Sequence, residues 1–234
     1  MGNRQQQLSF MPRKRAKGGG RKPTGERAGV SHDKRPELSS RDPVHVTLKT
    51  VPEVGTLRTK TISAAVRRAL QCSMGWSRTR GKFRVCQVSV QGDHIHMLVE
   101  AADKRALSRG MQGFMISCAK QINAELRDAN GKPRRGRVFA DRYHSRILRT
   151  PREVRACLNY VLGNWRHHGF DRALPSLRLD PYATGLAFDG WRDLRRPELV
   201  PIGQPGFLVW FPKTWLLDRG WRKHGLLDPW AVPG

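Results

Sequence analysis

The sequence predicts an α+β fold, a ferredoxin-like antiparallel sheet with two helices on one face and a third helix near the other. Three observations predict it. Apolar residues alternate between period two and helical spacing in the order β-α-β-β-α-β-α. A Gly92-Asp93 turn signal joins the second and third strands into a central hairpin. The first two helical runs follow strands one and three, which places both on the same face of such a sheet and leaves the last helix free to approach the other.

Each element has its own signal. Val44–Val51 alternates through Val44, Val46 and Leu48. A helix over Thr61–Met74 carries Ile62, Val66, Ala69 and Leu70 on one face. Phe83–Gln91 reads as a strand, with Phe83, Val85, Gln87 and Ser89 opposed to Arg84, Cys86, Val88 and Val90. His94–Glu100 returns as its antiparallel partner, sending Ile95, Met97 and Val99 into the core. A long helix runs from an Asp103 N-cap to about Asp128, with Leu107, Met111, Phe114, Cys118 and Ile122 at helical spacing. The turn-rich, basic loop Asn130–Arg137 leads to a strand over Arg142–Arg149. Thr150-Pro151-Arg152-Glu153 is a helix start with an N-cap, a proline in the first turn and a capping-box Glu. That helix runs to about His168 and stops at Gly169.

The chain has 234 residues, with 44 Lys+Arg against 19 Asp+Glu and a net charge of +25. Residues 43–174 carry +16 of that excess, so the charge belongs to the segment with the periodic patterns. A polyanion is the expected partner, and nucleic acid the default one. Four dispersed cysteines without a CxxC argue against a zinc ribbon or a disulfide scaffold and fit a reducing compartment. No apolar run reaches membrane-spanning length and no secretory h-region is present, so the expectation is a cytoplasmic, nucleoid-associated protein with no membrane partner. Three regions are expected. They are a basic disordered tail over 1–42, a folded domain over 43–174, and an ordered Trp- and Pro-rich extension over 175–234. The tryptophan spacing in that extension (Trp210, Trp215, Trp221) reads as packing against the core.

His94 and His96 stand two apart in a strand, so both rings lie on one face and can converge on one divalent ion. A surface or structural pair is the commoner meaning of this spacing. On the last helix Tyr160 and Asn164 stand at i and i+4, beside the core stripe of Val154, Leu158, Val161 and Trp165. Two imidazoles plus an amide oxygen suit one Mg²⁺ or Mn²⁺ better than a zinc cage. His167 and His168 read as favourable charges at the helix C-terminus.

The segments HIHMLVE, FADRYHSRILRTPREV and YVLGNWRHHG, in that order, resemble the HUH-type single-tyrosine transposases, and within them the REP-associated tyrosine transposase branch. The resemblance covers about residues 43–170, and the ending PKTWLLDRGWRKHGLLDP is similar to that group's. It implies that His94 and His96 are the paired metal histidines, Tyr160 the nucleophile and Asn164 the third ligand. It also implies a palindromic hairpin as target, acted on by a monomer or a homodimer. The absence of a further histidine between Val99 and Asp103 favours the transposase branch over relaxases.

The chemistry expected from that set is attack by the Tyr160 oxygen on a phosphate, giving a 5′-phosphotyrosine and a free 3′-OH. Arg134, Arg135 and Arg137 in the loop, with Arg142, Tyr143, His144 and Arg146 on the next strand, form a candidate track for single-stranded or hairpin DNA. Tyr143 or Trp165 would be available to stack on bases. A non-catalytic nucleic-acid-binding protein and a metal hydrolase that activates water remain the alternatives.

Overall fold

Residues 35–75, 81–128, 130–194 and 209–233 are described by the structure, a computed structural model. The valines and leucines that alternate in the sequence form four strands, β1 (Val44–Lys49), β2 (Phe83–Val90), β3 (His94–Ala101) and β4 (His144–Ile147). They make one antiparallel sheet in the order β2-β3-β1-β4, the order expected of the ferredoxin-like arrangement. Helices α1 (Lys60–Gly75) and α2 (Lys104–Glu125) cover one face, and α3 (Pro151–His167) packs on the other.

Two apolar clusters follow from this layering. Val44, Val46, Leu48, Ile95, Met97 and Val99 point toward α1 and α2, where they meet Leu70, Met111, Phe114 and Ile122. On the opposite face Leu98 and Leu148 meet Val154, Leu158, Val161 and Leu162 of α3. Each such fully buried aliphatic or phenyl side chain contributes roughly 1.5–3 kcal/mol relative to exposure.

The sequence misreads β2 in one respect. Strict alternation would put Val85 and Val88 on opposite faces, yet both lie in the α1–α2 cluster while Cys86 lies in the other. A bulge between Val85 and Gln87 is the cause: Val85 pairs with Val99 and Gln87 with Leu98, so the strand gains one residue and its parity flips.

Residues 1–34 of the basic tail lie outside the described residues. Over 35–42, however, Leu38 is buried and the Arg35 guanidinium bonds Ser145 Oγ at 2.7 Å and the Tyr143 carbonyl at 2.8 Å. Arg35 also lies 3.7 Å from the centre of the Tyr143 ring.

Of the C-terminal extension, 195–208 lies outside the described residues. Residues 209–233 pack on α3 and on the edge of β2, where the Trp210 N–H bonds the Val85 carbonyl at 2.8 Å. Of the three tryptophans read as packing against the core, Trp221 is buried, its ring N–H bonding the Leu217 carbonyl, whereas Trp210 and Trp215 are exposed; Trp191 is buried as well, its ring N–H bonding the Gly185 carbonyl. One buried carboxylate fastens this segment. Glu100 accepts from the Lys213 N–H at 3.0 Å and from the Thr214 N–H and hydroxyl at 2.8 Å each, and it pairs with Arg84 at 2.6 Å. It thereby ties the start of α4 (Trp215–Asp218) to the third strand.

Removing that carboxylate leaves a half-buried guanidinium and three donors without a partner. Glu100→Ala is expected to cost about 3–5 kcal/mol in urea unfolding, with Glu100→Gln costing less.

Candidate functional site

The β3 alternation that buries Ile95, Met97 and Val99 sends His94, His96, Leu98 and Glu100 to the α3 face. Pairing then sets their neighbours. Thr47 of β1 lies opposite His96, Lys49 opposite His94, and His45 opposite Leu98. On the other side of β1, His144 lies opposite Thr47 and Arg146 opposite His45. The result is a grid of polar residues on one face of an otherwise apolar sheet.

Helix α3 closes over this grid. Its start is fixed by the capping box: the Thr150 hydroxyl accepts from the Glu153 N–H, and the Glu153 carboxylate accepts from the Thr150 N–H at 3.1 Å. Its end is fixed by Gly169, whose φ of 68° continues the chain in the left-handed region. With Val154, Leu158 and Val161 turned into the core, Tyr160 and His168 face the strand histidines. The ring centre of Tyr160 is 5.1 Å from that of His96, and His168 is 5.6 Å from His94. Asn164 stands one turn from each of them on the same helix face, fully buried. Beside it the C-terminal segment comes close to Gly163: a Cβ there would lie 3.3 Å from Pro233 Cδ, a tight contact.

The three side chains singled out in the sequence are therefore brought together. The His94 and His96 ring centres are 4.6 Å apart. His94 Nδ1 sits 2.7 Å from Asp93 Oδ1, while His96 Nδ1 sits 3.1 Å from His45 Nε2 and 3.2 Å from Thr47 Oγ1. Each imidazole thus has its Nδ1 engaged. His96 Nε2 and both polar atoms of the Asn164 amide are buried without a hydrogen-bond partner among the described residues. Buried polar atoms are nearly always satisfied, so these three atoms are free to contact a ligand. Among the described residues no group of three or more His, Cys, Asp or Glu side chains is arranged to hold a metal ion; this set has two histidines and an amide.

Burial also sets the charge state. Desolvation, with the neighbouring His94, His45 and His168 adding to it, pushes His96 down to about 2. Desolvation pushes His45 to about 4, with His144 and Arg146 adding to it. Desolvation lowers His168 as well, reinforced by His94. At neutral pH these imidazoles keep their lone pairs. The cleft in front of them, about 900 Å³, is lined on the sheet side by Lys49, His144 and Arg146 and on the helix side by Arg152, Ala156 and Tyr160.

The expected DNA track does not assemble as one surface. His144 and Arg146 line the cleft. Tyr143, one residue away, points through the sheet and is buried in the α1–α2 cluster, and Trp165 is buried under α3, so neither ring is available to stack on a base. The Arg134 guanidinium bonds Asn123 Oδ1 at 2.7 Å and the Arg137 carbonyl at 3.0 Å, holding the loop to α2. Arg137 and Arg142 border a hollow beside Met115 and Ile116 on the α2 side, and Arg135 is exposed in the loop. Alternation along β4 sends His144 and Arg146 to the cleft face, while Arg134, Arg135, Arg137 and Arg142 precede that strand and follow the course of the loop.

His45, Thr47, Lys49, Arg152 and His168 were not singled out in the sequence as site residues. The polar parity of β1 held the signal for the first three, but only the β1–β3 register places them beside His96. Helix C-terminal charge explained His168 without reference to His94.

The sequence profile of a family described as IS200-like transposases matches residues 45–164, just over half of the chain. A solved structure of a REP-associated tyrosine transposase bound to a REP hairpin is similar at 15% identity and a TM-score of 0.46, over 66% of this chain and 82% of that one. A comparison with curated proteins finds no match.

The capping box gives a test of how α3 is held. Thr150→Ala is expected to cost about 1 kcal/mol. The Arg149 N–H, helped by Arg146 and Thr150, holds the Glu153 carboxylate below its ordinary range. Its stabilisation is thus complete above the unfolded value and fades as pH falls through the lower folded one. The difference in unfolding temperature between the wild type and Glu153→Gln is expected to shrink from pH 7 to pH 3.

Proposed function

This chain belongs to the IS200-like transposase family, and from that premise we propose that it is a metal-dependent single-stranded DNA endonuclease and strand transferase whose nucleophile is Tyr160. The observation that carries the reading is the Tyr160 ring 5.1 Å from the ring of His96, on the side of the sheet where buried polar atoms lack partners. Tyr160 is only partly buried against the α3 cluster and also lines an open cleft, whose charged residues are Lys49, Arg146 and Arg152 with Asp93 and Glu153.

The residues present fit a divalent ion. His94 and His96 offer Nε2, since their Nδ1 atoms are engaged, and Asn164 offers a buried amide oxygen. Mg²⁺ or Mn²⁺ matches that mixed nitrogen and oxygen set. Such an ion supplies Lewis-acid polarisation of a phosphate oxygen and stabilisation of charge on the leaving oxygen.

The chain's own residues do the rest. Lys49, His144, Arg146 and Arg152 around the cleft hold the phosphodiester backbone by charge and hydrogen bonding. The Tyr160 oxygen forms a bond to phosphorus as the bond from phosphorus to the 3′ oxygen breaks. The phenol loses its proton to solvent, and the 3′ oxygen gains one. The product is a 5′-phosphotyrosine and a free 3′-OH, and attack by another 3′-OH on that ester rejoins a strand without ATP. The basic surface and the family resemblance of its motifs make single-stranded or hairpin DNA the substrate class.

Incubation with a DNA hairpin carrying single-stranded flanks, in Mn²⁺, is expected to yield a covalent protein–DNA species on a denaturing gel. Tyr160→Phe should abolish it while leaving salt-sensitive binding close to wild type. Cleavage that survives Tyr160→Phe would instead indicate hydrolysis by water, and binding with no adduct from the wild type would indicate a binding module.

His96→Ala, or an excess of chelator, is expected to remove cleavage and to spare DNA binding measured by fluorescence anisotropy. Full activity in chelator would contradict the metal role.

A further inference from the structure

A neutral imidazole has one N–H and one lone pair, so which nitrogen carries the proton decides whether the other can bind a ligand. For His96 the surroundings make that choice. Its Nε2 is buried with no acceptor in reach among the described residues, so a proton there would be a donor without a partner. Its Nδ1 has two candidate acceptors, His45 Nε2 at 3.1 Å and Thr47 Oγ1 at 3.2 Å. Both come from β1, Thr47 directly across from His96 and His45 on the diagonal. The ring centres are 5.2 Å apart and the planes 29° from parallel, so with 3.1 Å between the nitrogens the rings meet edge to edge, as a hydrogen bond between in-plane nitrogens requires. A half-turn of the His96 ring would carry Nδ1 away from both acceptors.

We propose that His45, seconded by Thr47, is a positioning residue that accepts the His96 Nδ1–H and so locks His96 with its Nε2 lone pair directed into the cleft. The inference deepens the proposed function, and it rests on the reading of His96 as a ligand. Three features of β1 explain why a histidine serves here. The polar parity of the strand puts residue 45 on the cleft face, the register brings it within one hydrogen bond of His96, and the Tyr160 ring, centred 6.0 Å away and nearly perpendicular, stands beside it. An imidazole accepts through one in-plane nitrogen on a ring with two rotatable bonds, so it fixes the partner ring more firmly than a bridging water would. His94 has the analogous arrangement through Asp93, but that carboxylate is largely exposed, whereas His45 is enclosed.

The test is a long-range ¹H–¹⁵N correlation spectrum of the histidine rings in the metal-free, full-length protein, followed by Mn²⁺ titration calorimetry. The wild type is expected to show His96 protonated on Nδ1. The double variant His45→Phe/Thr47→Val should move the proton to Nε2 or give a mixture, and weaken Mn²⁺ binding by about 10–100-fold. His45→Gln, which restores an acceptor, should recover the Nδ1–H form and most of the affinity; a purely structural role for His45 would not give that recovery. A wild-type proton on Nε2, or an unchanged tautomer in the double variant, overturns the proposal. If the double variant does not fold, the single variants His45→Phe and Thr47→Val are read in the same way. The spectrum is independent of the covalent adduct assay. Loss of the wild-type adduct would defeat the transposase reading, while the tautomer result stands or falls by itself.

Discussion

Helix α3 can press Tyr160 against His96 because β3 turns its apolar residues the other way. Ile95, Met97 and Val99 are held in the α1–α2 core, so His94 and His96 have only the opposite face available. A one-residue slip of β3 against β1 would bury both imidazoles among Leu48, Phe114 and their neighbours and expose three aliphatic side chains. The register that stabilises the sheet is therefore the same register that builds the site. The position of Tyr160 then depends on a helix whose first turn is fixed by Thr150 and Glu153 and whose apolar stripe leaves one rotation about its axis.

The electrostatics of the cleft run against those of the surface. A chain with a net charge of +25 would be expected to carry protonated histidines poorly. Here burial and mutual repulsion hold His45, His96 and His168 neutral. The positive charge is kept at the rim, on Lys49, Arg146 and Arg152. That separation suits phosphate chemistry. Rim cations attract a polyanion through solvent, and the uncharged interior leaves donor atoms available to a small, hard cation.

The C-terminal residues belong to the same construction. Glu100, two positions beyond Leu98 on the α3 face of β3, collects the backbone of Lys213 and Thr214, and Trp221 stacks on Phe188 at 5.5 Å behind α3. Farther along, Pro233 and Ala231 fill the space left by Gly163, next to Asn164. The segment thus packs against α3 and the edge of the sheet together.

From the sequence alone came the strand and helix order, the hairpin, the capped start of α3, and the spacings that set His94 with His96 on one strand face and Tyr160 with Asn164 on one helix face. All of these depend on spacing within one element or on a local turn, and period two and period 3.6 are properties of the backbone. What needed the tertiary structure was everything set by contact between elements. The bulge at Cys86 flipped the parity of β2, since an extra residue leaves no mark in an apolar pattern. Tyr143 proved to be core and His144 cleft, because only the neighbours of β4 define which face is wet. His45 joined the site through the β1–β3 register, and His168 through the length of α3. Side chains from distant stretches meet according to how the sheet pairs and which face a helix covers, and those are decided by packing over the whole chain.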